Sequence, residues 1–113
     1  MMMIPGNRYP FEVQIKSPMG WIKVQGSLDL LSDTEFSGSA KLMGFTVTLT
    51  DCVKSGSHFQ FVVSPKLPFG VLRVEIEADV TESGEITGIA NAPRHKPMAI
   101  KGQFTSTPTS VNP

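Results

Sequence analysis

The sequence predicts an all-β protein: an eight-stranded antiparallel up-and-down β-barrel built from two four-strand repeats, with a two-sheet β-sandwich as the alternative. Apolar and polar residues alternate with a period of two along most of the chain, which is typical of strands with one buried face. Turn-forming residues separate these runs at short intervals, and no stretch has the period of an amphipathic helix. Because a flat sheet of such strands leaves two open edges, closure into a barrel with the apolar face inside best satisfies the backbone.

A third observation is an internal repeat. The segment 18–40 returns as 68–90, with seven identities in 23 aligned positions, and most of these are turn-forming or small residues. The identical pairs are Pro18/Pro68, Gly20/Gly70, Val24/Val74, Asp29/Asp79, Glu35/Glu85, Gly38/Gly88 and Ala40/Ala90. Self-similarity at a fixed spacing predicts two copies of one β unit.

The first copy contains four predicted strands. Residues 11–16 alternate cleanly, and the turn 17–20 leads into a second strand over 21–30. A third strand covers 35–42, and after Met43-Gly44 the segment 45–50 has the clearest alternation in the chain. It is also rich in the β-branched and aromatic residues that suit a pleated surface.

The second copy repeats this order. A turn over 51–57 joins the copies, and a longer turn over 65–70 corresponds to the first hairpin. The predicted strands are 58–64, 71–80, 85–91 and 98–105. We therefore expect an N-terminal arm over 1–8, one barrel domain over 9–105 with repeats at about 9–51 and 57–105, and a flexible tail over 106–113.

Composition limits the function classes. The 113 residues carry ten basic and ten acidic side chains, so the total charge offers no general attraction to nucleic acid or to anionic membranes. The apolar runs are much shorter than the roughly 20 residues of a membrane helix. Cys52 is the only cysteine, and the start of the chain does not resemble a secretory leader, so we expect a soluble cytoplasmic protein. A mature exported chain would have a similar sequence.

In strand number, strand length and meander order, the chain resembles the small calycin-type barrels, the streptavidin-like and lipocalin-like group. The resemblance covers residues 9–105, and the hairpin Ser17-Pro18-Met19-Gly20 is similar to one in uncharacterised small β domains of bacteria, some of them appended to hydrolases. The lipocalin Gly-x-Trp signature is absent from the first strand, since Trp21 begins the second. The resemblance implies a barrel that holds a small ligand.

One rim of the predicted barrel combines apolar and basic residues. Connections in a meander alternate between ends, so the first, third, fifth and seventh loops share this rim. The candidate ligand-binding residues there are Met19, Trp21, Met43, Lys66, Phe69, Arg94, His95 and Lys96. Methionine adapts to irregular shapes and Lys or Arg can clamp a carboxylate, which favours an amphipathic ligand with an anionic group. The alternative is that these residues only cap the core beside a solvated basic loop.

The interior leaves two possibilities open. Small residues recur at Gly38, Ala40, Gly88 and Ala90, where missing side-chain volume could leave a cavity, although a chain this short for a ligand-holding barrel favours a filled interior. The same positions could instead accommodate interlocking rings from Phe11, Phe45, Phe59 and Phe61 in a filled core. On the outer face, the register places Trp21, Val62, Val71 and Ile89, which favours an interface and a homodimer.

The sequence leans away from an enzyme. No predicted inward strand position carries Asp, Glu, His, Lys or Arg, so no paired carboxylate or buried base is expected. The spacing of Cys52 and His58 matches neither a zinc site nor a catalytic triad, and no cofactor, metal site or catalytic residue is predicted. The leading hypothesis is a barrel that binds a hydrophobic or amphipathic small molecule. The alternatives are an accessory β domain acting as a homodimer or enzyme subunit, and a small isomerase or cyclase using His95 or His58.

Overall fold

The computed structural model describes residues 3–68 and 70–105, together with the backbone of 109–110. It is built of short antiparallel strands. In chain order these are β1 (Asn7–Ser17), β2 (Gly20–Leu30), β3 (Phe36–Leu42), β4 (Phe45–Thr48), β5 (Thr50–Ser55), β6 (His58–Val63), β7 (Lys66–Leu67), β8 (Gly70–Val71), β9 (Val74–Val80), β10 (Glu85–Asn91), β11 (Met98–Phe104) and β12 (Thr109–Ser110).

The main sheet is a nearly closed antiparallel barrel. Its strand order is β4-β3-β2-β1-β11-β10-β9-β6-β5, and β12 pairs with the beginning of β1. The two edge strands, β4 and β5, follow each other in the chain and are separated only by Leu49. The Leu49 N–H donates to the Gly38 carbonyl of β3 at 2.9 Å. Closure therefore comes from one segment that leaves β3 and continues along β6.

This order contains nine strands, so the prediction of eight is wrong. The predicted turn 51–57 is mostly strand β5, and only residues 56–57 lie between β5 and β6. The register with β6 shifts between Thr50 and Val53, and Asp51 has a φ of 52°. Such a β-bulge turns a strand away from its first neighbour, which is why a continuous alternation contains two strands.

The second predicted hairpin also differs in detail. Residues 66–67 and 70–71 form the small β7–β8 hairpin, and β9 begins only at Val74, so the predicted strand 71–80 is interrupted. The corresponding segment of the first copy, β2, is continuous over eleven residues. The internal repeat stays a prediction.

The inward pattern of the strands is confirmed. Buried side chains alternate along β9 and β10, and the core consists of apolar residues throughout the described part of the chain. Two side chains depart from expectation. Phe45 is 57% exposed because it lies at the end of its strand, opposite Leu42. Val62 was predicted to face solvent but is only 6% exposed.

The connections between strands lie at two ends of the barrel. One end, called here the open end, carries the loops 18–19, 43–44, 64–73 and 92–97. The other, the closed end, carries the N-terminal residues 3–6 and the loops 31–35, 56–57 and 81–84. In the predicted tail, 106–108 and 111–113 lie outside the described residues, as do residues 1–2 of the predicted arm. No helix in the described ranges is long and apolar enough to cross a lipid bilayer.

Candidate apolar binding site

A cavity of about 90 Å³ lies inside the barrel. Every residue that lines it is apolar, so it offers no hydrogen bond from a side chain to a trapped water. The lining residues come from nearly all strands of the main sheet: Phe11, Val13, Ile15, Val24, Leu28, Ala40, Leu42, Val47, Leu49, Phe59, Phe61, Val63, Ile76, Ala78, Val80, Ile86, Ile100 and Phe104. An apolar void of this kind stays dry and accepts apolar guests.

Alanines, rather than glycines, leave this space. Ala40 and Ala78 line the cavity, whereas Ala90, which is fully buried, does not. A Cβ added to Gly38 would meet the backbone of β2 and lie 2.7 Å from Leu49 Cδ1, and one added to Gly88 would lie 2.9 Å from Ala78 Cα. Both glycines therefore allow close approach of neighbouring strands. The small-residue signal in the sequence points to the cavity only at Ala40.

Aromatic rings fill the closed end. Phe36 packs edge to face against Phe59 and Phe61, with ring centroids 5.2 and 6.0 Å apart, and Tyr9 packs in the same way on Phe104 at 5.8 Å. Tyr9, Phe36 and Phe59 are at most 4% exposed. Such T-shaped pairs contribute about 0.5–1.5 kcal/mol beyond their burial. This end of the interior is a packed aromatic plug.

The N-terminal segment covers this plug. The backbone N–H of Ile4 donates to the Tyr9 hydroxyl at 2.5 Å, and that hydroxyl donates to the Ile4 carbonyl at 3.4 Å. The Gly6 N–H donates to the Leu30 carbonyl at 2.8 Å, and Met3 packs against the same core cluster. These contacts satisfy the polar atom of a buried tyrosine and close the barrel at this end.

The opposite end is less covered. Inward-facing apolar residues near the open end are only half-buried, whereas the five residues that form the buried cluster at the closed end are at most 8% exposed. They are Ile15, Ile22, Leu42, Val63 and Met98, and Phe45 beyond them is 57% exposed. Three of these residues, Ile15, Leu42 and Val63, also line the cavity.

The described residues that were predicted to bind a ligand lie at this end, in its loops or within two residues of them. Met19, Met43 and Trp21 are 86%, 67% and 43% exposed, and the four basic candidates are also exposed. None of these described candidates lines the cavity, and no side-chain hydrogen bond or ion pair joins any two of them. The described basic candidates are Lys66, Arg94, His95 and Lys96, while Phe69 lies outside the described residues. The described candidates therefore lie around the open end, called the mouth of the barrel below, and not in the interior.

Trp21 is held on the outer face by two lysines. The Lys101 Nζ lies 4.2 Å from the ring centroid, and the Lys16 Nζ lies 5.9 Å from it. Lys16 is the cross-strand partner of Trp21, and Lys101 reaches over from β11. Sequence reasoning missed this arrangement, because the cation–π contact depends on strand register.

The cavity liners themselves were predicted as core but not as a site. Ile76, Ala78 and Phe104 belong to the inward sets of their strands, so alternation identified them as buried. Which buried residues face a void depends on how side chains from opposite strands meet. A one-dimensional pattern contains no signal for that.

No ionisable side chain in the described part of the chain lines the cavity. Burial, together with the Asp51 carboxylate, raises the pKa of the Cys52 thiol, which packs against the closed-end aromatic cluster. His58 Nδ1 lies 2.9 Å from an Asp79 carboxylate oxygen, but this pair is on the outer surface. The described residues include no buried polar or charged side chain and no cluster of metal-ligating groups.

The fold is compatible with a calycin-like barrel. Comparison of this chain with protein-family models, with curated proteins and with solved structures gives no match to any of them.

Proposed function

We propose that this protein is a non-enzymatic β-barrel that binds a small apolar or amphipathic molecule in its interior. The observation that carries the proposal is the cavity of about 90 Å³ with a wholly apolar lining, below the half-covered open end. Protein interiors are close-packed and rarely leave voids larger than a water molecule. At about 24 cal/mol per Å³, an empty void of this size costs roughly 2 kcal/mol, and an occupant would recover that energy.

The size of the cavity limits the ligand. An engineered void of about 150 Å³ holds benzene, while pockets for larger ligands measure roughly 300–1,000 Å³. This cavity therefore fits a short apolar group without rearrangement, and a longer chain would displace the half-buried side chains at the mouth. Because the aromatic plug closes the other end, the apolar part of the ligand enters first from the open end.

The cations at the mouth favour an acidic head group. Lys66, Arg94 and Lys96 are exposed in the loops of the open end, with His95 beside them. A carboxylate left at the mouth would meet these side chains while its chain lies in the barrel. Since every residue that lines the cavity is apolar, a charge carried inside would remain unpaired at high cost.

Native mass spectrometry before and after organic extraction tests the proposal. We expect a co-purifying mass in the range of a lipid or an aromatic acid that is lost on extraction. Extracted protein should then gain thermal stability from decanoate, by about 2.7 kcal/mol at a hundredfold excess over Kd. The cavity-filling change Ala78→Ile should abolish this gain, whereas Leu31→Asn at the closed end should retain it. An unchanged gain in Ala78→Ile, or no bound mass and no gain in the wild type, would refute interior binding.

A second candidate is an accessory domain that acts through its outer face. Val71 and Ile89 are 63% and 47% exposed, and Ile89 pairs across the sheet with the exposed Ala99. An apolar surface of this kind supports a homodimer. Sedimentation equilibrium distinguishes the candidates: a dimer that Ile89→Lys dissociates, with no extractable ligand, would favour the second.

A further inference from the structure

Charge is segregated between the two ends of the barrel although the total is zero. The four loops of the open end contain Lys66, Arg73, Arg94 and Lys96 and no Asp or Glu. The three loops of the closed end contain only acidic charges, Asp33, Glu35 and Glu82. The neutral sum, which predicted no membrane partner, therefore conceals basic loops at one end of the barrel and acidic loops at the other.

Most of the open-end cations are free of partners. Arg73 lies 3.8 Å from both Asp51 and Glu75. Lys66, Arg94 and Lys96 form no ion pair with any residue in the described ranges. Lys16 and Lys101 contact the Trp21 ring instead of a carboxylate. Lys66, Arg94 and Lys96 are therefore available to an external anion.

Large apolar side chains project from the same end. Met19 at one hairpin tip is 86% exposed, and Met43 and Phe45 at the next are 67% and 57% exposed. Met43 and Gly44 have φ values of 50° and 85°, the conformation of a two-residue hairpin turn that favours Asn at the first position. A methionine is thus not required by the turn.

We propose that the open end docks on the surface of an anionic lipid bilayer. Apolar side chains flanked by Lys and Arg, with a tryptophan at the margin, match the boundary between acyl chains and anionic head groups. The acidic closed end is repelled by the same surface, which orients the mouth of the barrel toward the lipid. A second copy docked by the same end would bring like charges together. This inference does not depend on whether the barrel holds a ligand.

Flotation with vesicles tests this orientation, using phosphatidylcholine with and without phosphatidylserine. The wild type should float with the phosphatidylserine vesicles only and dissociate at high salt. The emission of Trp21, the only tryptophan, should shift to the blue on binding. Lys66→Gln and Arg94→Gln should each lower vesicle binding about fivefold.

Two variants, each of which removes one exposed apolar side chain, distinguish docking by the open end from nonspecific hydrophobic adsorption to vesicles. Met43→Asn suits the turn and should abolish flotation while the protein stays folded. Leu31→Asn removes an apolar side chain that is 56% exposed in a closed-end loop and should float as the wild type does. Ala78→Ile should also float normally, so failure of interior binding and failure of docking are distinguishable.

Three results would overturn the proposal. The first is that the wild type ignores phosphatidylserine vesicles, and the second is that Leu31→Asn loses as much binding as Met43→Asn. The third is that the lipid-free wild type self-associates in sedimentation and Met43→Asn dissociates it, because the occupant of this end would then be a second copy.

Discussion

Replacing Ala78 with isoleucine should stabilise the ligand-free protein, although small-to-large changes in a core usually destabilise it. Ala78 lines the cavity, and its cross-strand neighbours are Phe59 on one side and Gly88 on the other. Because Gly88 lets its strand approach Ala78 closely, the room for a larger side chain is the void in front of Ala78. Isoleucine also suits a strand.

The magnitude follows from the void. Filling about 90 Å³ at roughly 24 cal/mol per Å³ recovers up to about 2 kcal/mol. Burying the three added carbon groups at about 0.8 kcal/mol each gives a similar figure, and the two estimates describe the same gain. If the isoleucine is forced off its preferred rotamer, the strain costs about 1 kcal/mol and reduces this gain. We therefore expect a net gain of about 1 kcal/mol.

The assay is urea and thermal unfolding of extracted protein, followed by circular dichroism. A gain of about 1 kcal/mol should raise Tm by roughly 4 °C. The matched control is Ala90→Ile, because Ala90 is buried among Ile76 and Met98 but does not line the cavity. Overpacking there should cost about 1–3 kcal/mol. If both variants lose stability equally, position 78 has no free space and the void does not exist in solution.

Three further experiments, on two variants and on the wild-type thiol, test other parts of the structure. Tyr9→Phe removes the hydroxyl that holds Ile4 and should cost about 0.5–1.5 kcal/mol; hydrogen exchange should speed up in residues 3–6 only, and uniform exchange would contradict the role of the segment as a cover. Gly102→Ala should cost at least about 1–3 kcal/mol in urea unfolding, since its Cβ would lie 2.5 Å from Val13 Cα; an unchanged midpoint would show that the strands can separate there. The thiol of Cys52 has a raised pKa, so it keeps its proton in the folded state to higher pH than in the unfolded state. The stability that comes from holding the thiol protonated is fully present below the unfolded-state pKa and is lost as pH rises through the folded-state pKa. Alkylation at pH 8 should therefore be slow until urea unfolds the chain, and equal rates in both states would refute burial of the thiol.

The period-two alternation of apolar and polar residues predicted most of the strands and their buried faces. The positions that alternate in 74–80 and 85–91 are the ones whose side chains are buried, because a strand turns successive residues to opposite faces. Turn chemistry located the hairpins at 17–20 and 43–44 to within a residue. Those two signals are local, so they can be read without knowing the partner strands.

The wrong predictions concern residues whose conformation or burial depends on tertiary contacts. A bulge at Thr50 to Val53 turned a predicted turn into strand β5 and raised the strand count to nine. Val62 is buried on a face predicted to be outward. Neither feature changes the local alternation, because both depend on which segments the closing barrel brings alongside.

The sequence by itself determined an antiparallel β architecture with an apolar interior, and it determined the contrast between basic and acidic connections. Tertiary structure decided that the barrel closes through the segment around Leu49, that aromatic rings fill one end, and that a void remains between Ala40 and Ala78. The reason is that burial of a residue follows from the period of its own strand, whereas a cavity is a difference in volume among side chains from strands far apart in the chain.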